Sequence, residues 1–286
     1  MSTPPAGAPA AARRDTPGRA LPGAVPTGLR RGRAEIRVFF RNRTALVFGT
    51  LLPLALMLLF GTLFKGSVPG TSVPVHDVVV AGVLASGVMS AAFNTLAIGT
   101  ALESGDGTLK RLRGTPLSPV AYFLSKALLV LALSALQLVL VPVVAWAAFG
   151  FVLPASPARW ALLLWVFLLG ALASSFLGIA IGSLVTDRRG IGAVLQFPFV
   201  LLQFVSGVYY PFAQLPDALQ HVGALFPLKW LAQGMRAALL PDSLAAAEPA
   251  HGWETGRTSL VLLAWTAAGL VLCVLAQRRL LRKGLS

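Results

Sequence analysis

The sequence predicts an all-α integral membrane protein with six transmembrane helices. Of its 286 residues, 56% are hydrophobic and only 12% are charged, and the mean hydropathy is +0.76. A soluble domain carries about 25% charged residues. A membrane β-barrel would show short segments of alternating hydrophobicity, whereas this chain has six long stretches without Asp, Glu, Lys or Arg. With about 20 residues needed per helix, the predicted spans are residues 44–64, 78–101, 127–149, 160–185, 191–208 and 259–276.

The distribution of basic residues predicts the orientation. Nineteen of the 24 Lys and Arg residues fall in the N-terminal region, the connections after spans 2 and 4, and the C-terminal end. Basic residues collect on the cytoplasmic side of membrane proteins, so both termini are expected there. Nucleic-acid binding would need basic residues interleaved with exposed aromatic residues on a soluble face. The sequence has no such pattern, and no nucleic-acid partner is expected.

Residues 1–27 and residues 28–286 differ in composition. The first region contains six prolines and no apolar periodicity, which is typical of a disordered tail. The second is assigned to the transmembrane domain. At its start, Ile36, Phe39 and Phe40 share one face of an arginine-rich helix. This pattern predicts an amphipathic helix in the membrane interface; the alternative is that the arginines only orient the first span.

Residues 209–258 form an unusual outer connection. They contain an apolar segment that is interrupted by Pro216 and Pro227 and is too broken to cross a bilayer. Short apolar segments of this kind are re-entrant or interfacial, with their backbone groups covered by protein. The sequence therefore predicts two short re-entrant helices before the last span.

The six spans contain no ionisable side chain. Transporters driven by ion gradients normally keep such a group in the membrane interior, so ion coupling is not expected. The larger polar side chains either line a substrate path or form hydrogen bonds between helices. These residues are Asn94, Gln137, Gln196 and Gln203.

Enzymatic chemistry is not expected of this chain. Ser206 has no histidine within the spans to act as a base, and the three histidines are scattered, which argues against a metal site. The sequence contains no phosphate-binding loop of the Gly-x-x-x-x-Gly-Lys-Ser/Thr type. The chain is therefore predicted to bind no cofactor of its own.

Small residues recur on one face of span 4. Gly170, Ser174, Gly178 and Gly182 are spaced four residues apart. Such a face permits close helix contact, either within the protomer or across a dimer interface.

The connection between spans 2 and 3 predicts a short amphipathic helix on the cytoplasmic side. Leu109 and Leu112 share one face, and Asp106 or Thr108 can cap the first turn. Gly114 and Pro116 end the helix, and Ser118 followed by Pro119 begins the next one. The basic residues around the leucines are Lys110, Arg111 and Arg113.

This connection and two further regions resemble the ABC-2 type permease family, the membrane subunits of one group of ATP-binding-cassette exporters. The first match consists of Glu103, Gly107, Thr108, Leu109, Lys110, Arg111, Leu112, Thr115, Pro116 and Leu117. The second consists of Ser206, Gly207, Pro211, Leu215, Pro216, Phe226, Pro227 and Arg236. The third is Arg41, Asn42 and Arg43 ahead of Pro53. Ser104 stands where many members have a basic residue.

The resemblance implies a six-helix permease that associates with a second permease copy, as a homodimer, and with two ATPase subunits that bind ATP and Mg²⁺. Residues 109–113 would form the coupling helix, with Leu109 and Leu112 as buried anchors. Glu103 would pass movements of the ATPase to the membrane helices. The residues implied at the outer gate are Ser206, Gly207, Pro211, Pro216 and Pro227.

The function implied is export of a hydrophobic or amphipathic compound, such as a drug, lipid or secondary metabolite, across the bacterial plasma membrane. The aliphatic spans favour such a cargo over a polyanion. Two alternatives remain open at this point. One is export of a polysaccharide or glycolipid, and the other is a membrane scaffold or sensor bound to an ATPase.

Overall fold

The computed structural model describes residues 23–105, 118–185 and 190–283. The described residues are mostly helical, and β pairing among them is limited to one isolated bridge between Ser67 and Pro74. The predicted all-α class is confirmed.

The described residues form eleven α-helices, numbered in chain order. They are α1 (Ala24–Arg41), α2 (Arg43–Leu46), α3 (Leu52–Leu63), α4 (Val75–Met89), α5 (Thr95–Gly105), α6 (Pro119–Phe149), α7 (Pro157–Leu184), α8 (Ile191–Val205), α9 (Asp217–Ala224), α10 (Pro227–Leu239) and α11 (Thr255–Lys283). The π-helical turns Val47–Leu51 and Ser90–Asn94 join α2 to α3 and α4 to α5 without a break. Two 3₁₀ turns, Phe212–Gln214 and Asp242–Ala247, lie in the outer connection.

Four helical segments in the described part of the chain are long and apolar enough to cross a membrane. They are Val75–Glu103, Val120–Phe149, Pro157–Leu184 and Thr255–Ala276. The first and fifth predicted spans coincide with shorter apolar helices, Gly49–Leu63 and Ile191–Val205. The chain is thus a multi-pass membrane protein.

The start of α6 follows the predicted capping signal. Ser118 accepts a hydrogen bond from the backbone N–H of Ala121 at 3.2 Å, and Pro119 occupies the first helical position. A side-chain acceptor at the cap satisfies one of the free amides of the first turn, and proline loses nothing there because its missing N–H has no helical partner. At the other end, Gly150 closes the helix with a φ of 73°.

A side chain from the neighbouring helix α6 provides the hydrogen bond that Pro53 cannot donate. Proline has no N–H to donate to the carbonyl four residues earlier, which here belongs to Gly49. The Gln137 side chain of α6 donates from Nε2 to that carbonyl at 2.8 Å. The π-helical turn and the amide of Gln137 therefore accommodate a proline in an apolar helix.

The small-residue face of α7 is a contact surface within the protomer, as one of the two predicted alternatives had it. A Cβ added at Gly178 would lie 2.5 Å from the Phe93 carbonyl oxygen, and one at Gly182 would lie 2.3 Å from that of Ala97. At Gly170 it would lie 2.4 Å from a Leu231 methyl group. The absence of side chains at these glycines thus lets α7 contact the backbone of the continuous α4–α5 helix and the Leu231 side chain of α10.

The outer connection contains the two predicted short helices, α9 and α10. α10 is buried along its whole length and packs against α4, α7 and α11. Proline stands at the first position of α10, and Pro216 precedes α9. Burial of a short helix among longer ones covers its end groups with protein, as a re-entrant segment requires.

The N-terminal helix packs against protein on its apolar face. α1 begins at Ala24, inside the region that composition assigns to the tail. A Cβ at Gly32 would lie 2.7 Å from Leu128, so the two helices are in close contact. Ile36 and Phe39 pack on a cluster that includes Leu129 of α6. Both side chains are partly buried, so protein covers part of this face of α1, and the location of the helix in the membrane interface stays a prediction.

The Gln137 bond can be tested by a double-mutant cycle. Gln137→Leu should destabilise the chain by about 1–2 kcal/mol, because it leaves the Gly49 carbonyl unpaired in an apolar setting. Pro53→Ala restores a backbone donor to that carbonyl, so Gln137→Leu should cost less in that background. Thermal unfolding of the purified chain in detergent measures both effects, and equal costs in the two backgrounds would contradict the assignment.

Candidate functional site

Five side chains at one end of the helices form a cluster that we call the inner charge cluster. Arg31 and Glu35 come from α1, Glu103 from α5, and Tyr122 and Lys126 from α6. Glu103 connects all three helices. Its Oε1 atom accepts from Lys126 Nζ at 2.6 Å and from Arg31 Nη2 at 3.3 Å, and its Oε2 atom accepts from the Tyr122 hydroxyl at 3.0 Å.

Glu35 is the second carboxylate of the cluster. Its Oε1 atom accepts from Arg31 Nε at 3.0 Å and from the Ser125 hydroxyl at 3.4 Å, and its Oε2 atom lies 3.3 Å from Lys126 Nζ. Each cation therefore lies between two carboxylates, and the four charges sum to zero. Arg31 and Lys126 also lie within 5.3 Å of the centre of the Tyr122 ring, a distance at which a cation is attracted to the ring face.

Local sequence explains how each helix presents its part of the cluster. Arg31 and Glu35, like Tyr122 and Lys126, are four residues apart and so lie on one helix face. Gly28 and Gly32 bring α1 against α6, which places the two pairs together. Lys126 has only 6% of its side chain exposed. A buried cation needs a paired carboxylate, since removal of one partner leaves an uncompensated charge.

Ser104 stands where many family members have a basic residue, so it cannot pair with Glu103. Arg31 of α1 and Lys126 of α6 provide the cationic partners instead. Sequence reasoning identified Glu103 but missed Arg31, Glu35, Tyr122 and Lys126 as its neighbours. The spacing within each helix was a usable signal, but the contacts join residues 72 and 23 positions apart. The other predicted coupling residues lie outside the described residues; they are Gly107, Thr108, Leu109, Lys110, Arg111, Leu112, Thr115 and Pro116.

A cavity of about 530 Å³, which we call the inner cavity, adjoins the inner charge cluster. Two of the four predicted path residues, Asn94 and Gln196, line it together with Glu103 and Lys126. Asn94 is buried, and its Nδ2 atom lies 3.4 Å from the Ser90 hydroxyl. The inner cavity thus has a polar part and an apolar part.

The other two predicted path residues form interhelical hydrogen bonds. Gln137 donates to the Gly49 carbonyl, as described above. Gln203 Oε1 accepts from the Ser86 hydroxyl at 2.6 Å and from the Tyr209 hydroxyl at 2.7 Å. These bonds hold α6 to the π-helical turn before α3 and α8 to α4.

A second, almost wholly apolar opening lies along α8. Its volume is about 750 Å³, and we call it the apolar groove. Phe93 of the π-helical turn, Phe199 of α8 and Trp265 of α11 are among its walls. Both openings fall in the range of about 300–1,000 Å³ that is typical of small-molecule sites.

The predicted outer-gate residues mark the turns of the outer connection. Ser206 is buried at the end of α8, and Gly207 follows it with a φ of 65°. Pro211 precedes the first 3₁₀ turn, Pro216 precedes α9, and Pro227 begins α10. They set the course of the connection between α8 and α10.

Sequence reasoning missed a buried ion pair in this outer region. Arg236 of α10 is 1% exposed, and its Nε atom donates to Glu248 Oε1 at 2.6 Å while Nη2 donates to Oε2 at 3.2 Å. The pair ties α10 to the segment after the second 3₁₀ turn. Arg236 was noted only as part of the family pattern, and Glu248 carries no signal of its own.

Lys229 lies on α10 about two helical turns before Arg236. Its Nζ atom donates to Gln233 Oε1 at 2.5 Å and lies 3.6 Å from the centre of the Trp230 ring. Burial, reinforced by the charge of Arg236, lowers the pKa of Lys229 to about 8. The outer connection is thus held by charged side chains that are shielded from water.

Among residues 23–105, 118–185 and 190–283, no group of three or more His, Cys, Asp or Glu side chains is arranged to hold a metal ion. The site therefore consists of a charge-paired helix junction and two openings that can accept a small molecule.

A comparison with protein families decides the classification. The family model described as ABC-2 type transporter matches residues 32–240, which include Glu35, Glu103, Tyr122 and Lys126 of the inner charge cluster and the whole of α10. The chain belongs to the ABC-2 type transporter family. Comparison with curated proteins gives no match.

Membership in this family gives the general class of function. The chain is an ABC-type transport permease, a transmembrane component that lacks an ATPase domain of its own and associates with an ABC ATPase. The expected ABC-2 resemblance is confirmed. In this permease the family match begins at Gly32, in the middle of α1, and ends at Leu240, one residue after the end of α10.

The inner charge cluster predicts a strong coupling between its charges. Lys126→Met leaves two carboxylates with one cation and should destabilise the permease, whereas Glu103→Gln keeps the shape of the acceptor but removes its charge. In a double-mutant cycle, the two changes together should cost at least about 1 kcal/mol less than their sum. Unfolding in detergent measures this. The control is Arg37→Met, at an exposed position of α1, combined with Glu103→Gln, where the two costs should add. If the costs of Lys126→Met and Glu103→Gln also simply add, the assigned cluster is contradicted.

The buried outer pair predicts a larger effect than an exposed one. Arg236→Met leaves Glu248 buried without its counter-charge and should cost about 3–5 kcal/mol. Arg257→Met breaks the 2.9 Å contact with Glu254 at a position where the arginine is 64% exposed, and should cost under about 1 kcal/mol. Thermal unfolding of the two variants compares them directly; similar losses would show that Arg236 and Glu248 are not an essential pair.

Proposed function

We propose that this ABC-2 permease exports a hydrophobic or amphipathic compound from the cytoplasmic side of a bacterial plasma membrane, driven by a separate ATPase. The ATPase would dock on residues 106–117, in two copies, and a second copy of the permease would complete the transporter. Both termini would face the cytoplasm. The observation that carries this proposal is that Glu103, near the end of α5, bonds to Tyr122 and Lys126 of α6, so that it links the two helices that flank residues 106–117.

The inner charge cluster supports mechanical coupling. Residues 106–117 connect α5 to α6, and Glu103 near the end of α5 bonds to Tyr122 and Lys126 near the start of α6. A force on the connection would therefore move both helix ends together. Arg31 adds α1 to the same unit. Rigid elements in contact, with alternative arrangements, are what a coupling route between two sites requires.

The two openings support a hydrophobic or amphipathic cargo. The apolar groove offers aliphatic and aromatic walls, and the inner cavity adds polar groups at one end. The almost wholly apolar walls of the groove favour such a cargo over a polysaccharide, which needs hydrogen-bonding groups. The spans carry no ionisable side chain in their central parts, so an ion gradient has no binding group there, and ATP remains the energy source.

The exposed face of α8 supports a second permease copy. Val194, Phe197 and Leu201 are 65%, 69% and 53% exposed and recur every three to four residues. A helix in a bilayer can also cover such a face with lipid, so lipid is the competing neighbour. Pairing of two copies along α8 would enclose the apolar groove between protomers.

Coupling can be tested with the assembled transporter in proteoliposomes. Leu109→Asp combined with Leu112→Asp should abolish cargo-stimulated ATP hydrolysis, because charged side chains cannot fill an apolar cleft on the ATPase. A hydrophobic dye should accumulate in inside-out vesicles only with ATP and only with the unaltered permease. The matched control is Val152→Asp with Leu153→Asp, two exposed apolar positions between α6 and α7, which should leave stimulation intact.

Two results would contradict the proposal. Unchanged stimulation in the Leu109 and Leu112 variant would remove residues 106–117 from the coupling route. Dye accumulation that does not depend on ATP would remove the ATPase as the energy source.

A further inference from the structure

The inner cavity is amphipathic along its length. Phe39 of α1, Ile98 of α5 and Leu129 of α6 form its apolar wall. The inner charge cluster borders its other part, where Glu35 and Glu103 line it beside Arg31 and Lys126. A cavity of about 530 Å³ can take a molecule with one polar end and one hydrocarbon end.

The polar wall contains two buried oxygen atoms that accept no hydrogen bond within the described part of the chain. Asn94 is 7% exposed, and within the described part of the chain its Oδ1 atom has no hydrogen-bond partner. Glu35 Oε2 is likewise buried and makes no hydrogen bond there, although Lys126 lies 3.3 Å away. A buried acceptor that receives no hydrogen bond destabilises the folded chain, and a donor from a ligand or from water would remove this cost.

The donors of the wall are already engaged. Lys126 Nζ is 2.6 Å from Glu103, and Arg31 Nε is 3.0 Å from Glu35. An anionic ligand would have to replace these carboxylates or lie beside them. A ligand with N–H or O–H donors can bind Asn94 Oδ1 and Glu35 Oε2, which accept no hydrogen bond, while Lys126 keeps its contact with Glu103 and Arg31 keeps its contact with Glu35.

We propose that the inner cavity is the loading site of the permease and that it selects amphipathic compounds whose polar end donates hydrogen bonds, above all primary amines. The ammonium group binds Asn94 Oδ1 and Glu35, and the hydrocarbon part lies along Phe39, Ile98 and Leu129. This inference rests on the proposed export function and names the substrate class for it.

Glycine provides a way to close the cavity without disturbing the fold. Gly99 lines the inner cavity, and a Cβ added there meets no atom within 4 Å. Gly99→Leu should therefore fill the space. Gly192 in α8 is also helical, and an added Cβ there likewise meets nothing. Because Gly192 does not line either described opening, Gly192→Leu is the matched control.

The test measures binding to the full-length chain in phosphatidylcholine nanodiscs, with empty nanodiscs subtracted. The probes are two dansyl-labelled dodecyl compounds that differ only in a terminal amine or a terminal carboxylate. The amine probe should bind saturably and about tenfold more tightly than the carboxylate probe, which is the effect of one charge-assisted hydrogen bond. Gly99→Leu should abolish saturable binding, and Gly192→Leu should leave it unchanged.

Substitution of Asn94 tests the head group directly. Asn94→Leu should weaken binding of the amine probe about tenfold, whereas Asn94→Asp should strengthen it and weaken the carboxylate probe further. The opposite signs distinguish a ligand contact from a loss of fold. Equal affinity for both probes, or saturable binding that survives Gly99→Leu, would overturn the proposal.

The binding assay contains no ATPase, so it separates this inference from the proposed function. Loss of probe selectivity with intact ATPase coupling would overturn the loading site alone. Selective binding with no dependence of ATP hydrolysis on Leu109 and Leu112 would overturn the coupling route alone.

Discussion

The contact between Glu103 and Lys126 is the interaction on which the inner half of the structure depends. The ammonium group of Lys126 is almost fully buried, and the Glu103 carboxylate 2.6 Å away compensates its charge. The same carboxylate bonds to Tyr122 and Arg31, so one side chain fixes the relation of α5, α6 and α1. The pairing is neutral as a whole, which allows it to lie where the membrane helices begin.

Close backbone approach is the second constraint on the architecture. Gly178 and Gly182 let α7 contact the continuous α4–α5 helix at its carbonyl oxygens, and Gly32 does the same for α1 on α6. In a bilayer, helix association depends on such packing and on interhelical hydrogen bonds, because lipid is as apolar as leucine. Gln137 supplies one such bond at the carbonyl that Pro53 leaves unpaired.

Glu103 belongs both to the helix junction and to the wall of the inner cavity. A movement of α5 relative to α6 would therefore change the cavity and the ion pairs together. The outer end is organised differently, because Arg236 and Glu248 bind α10 to its own connection rather than to a neighbouring span. Charge pairs thus hold both ends of a molecule whose middle is aliphatic.

Sequence by itself determined the elements of this protein. Charge-free stretches gave the positions of the spans, Ser118 and Pro119 gave the start of α6, and the glycine spacing identified the contact face of α7, because each depends on residues close in the chain. The family pattern also identified Glu103. Only the tertiary structure decided its partners, the packing of Ile36 and Phe39 against α6, and the pairing of Arg236 with Glu248. Those contacts depend on which helices touch, and residues as far apart as Arg31 and Glu103 carry no local signal of their meeting.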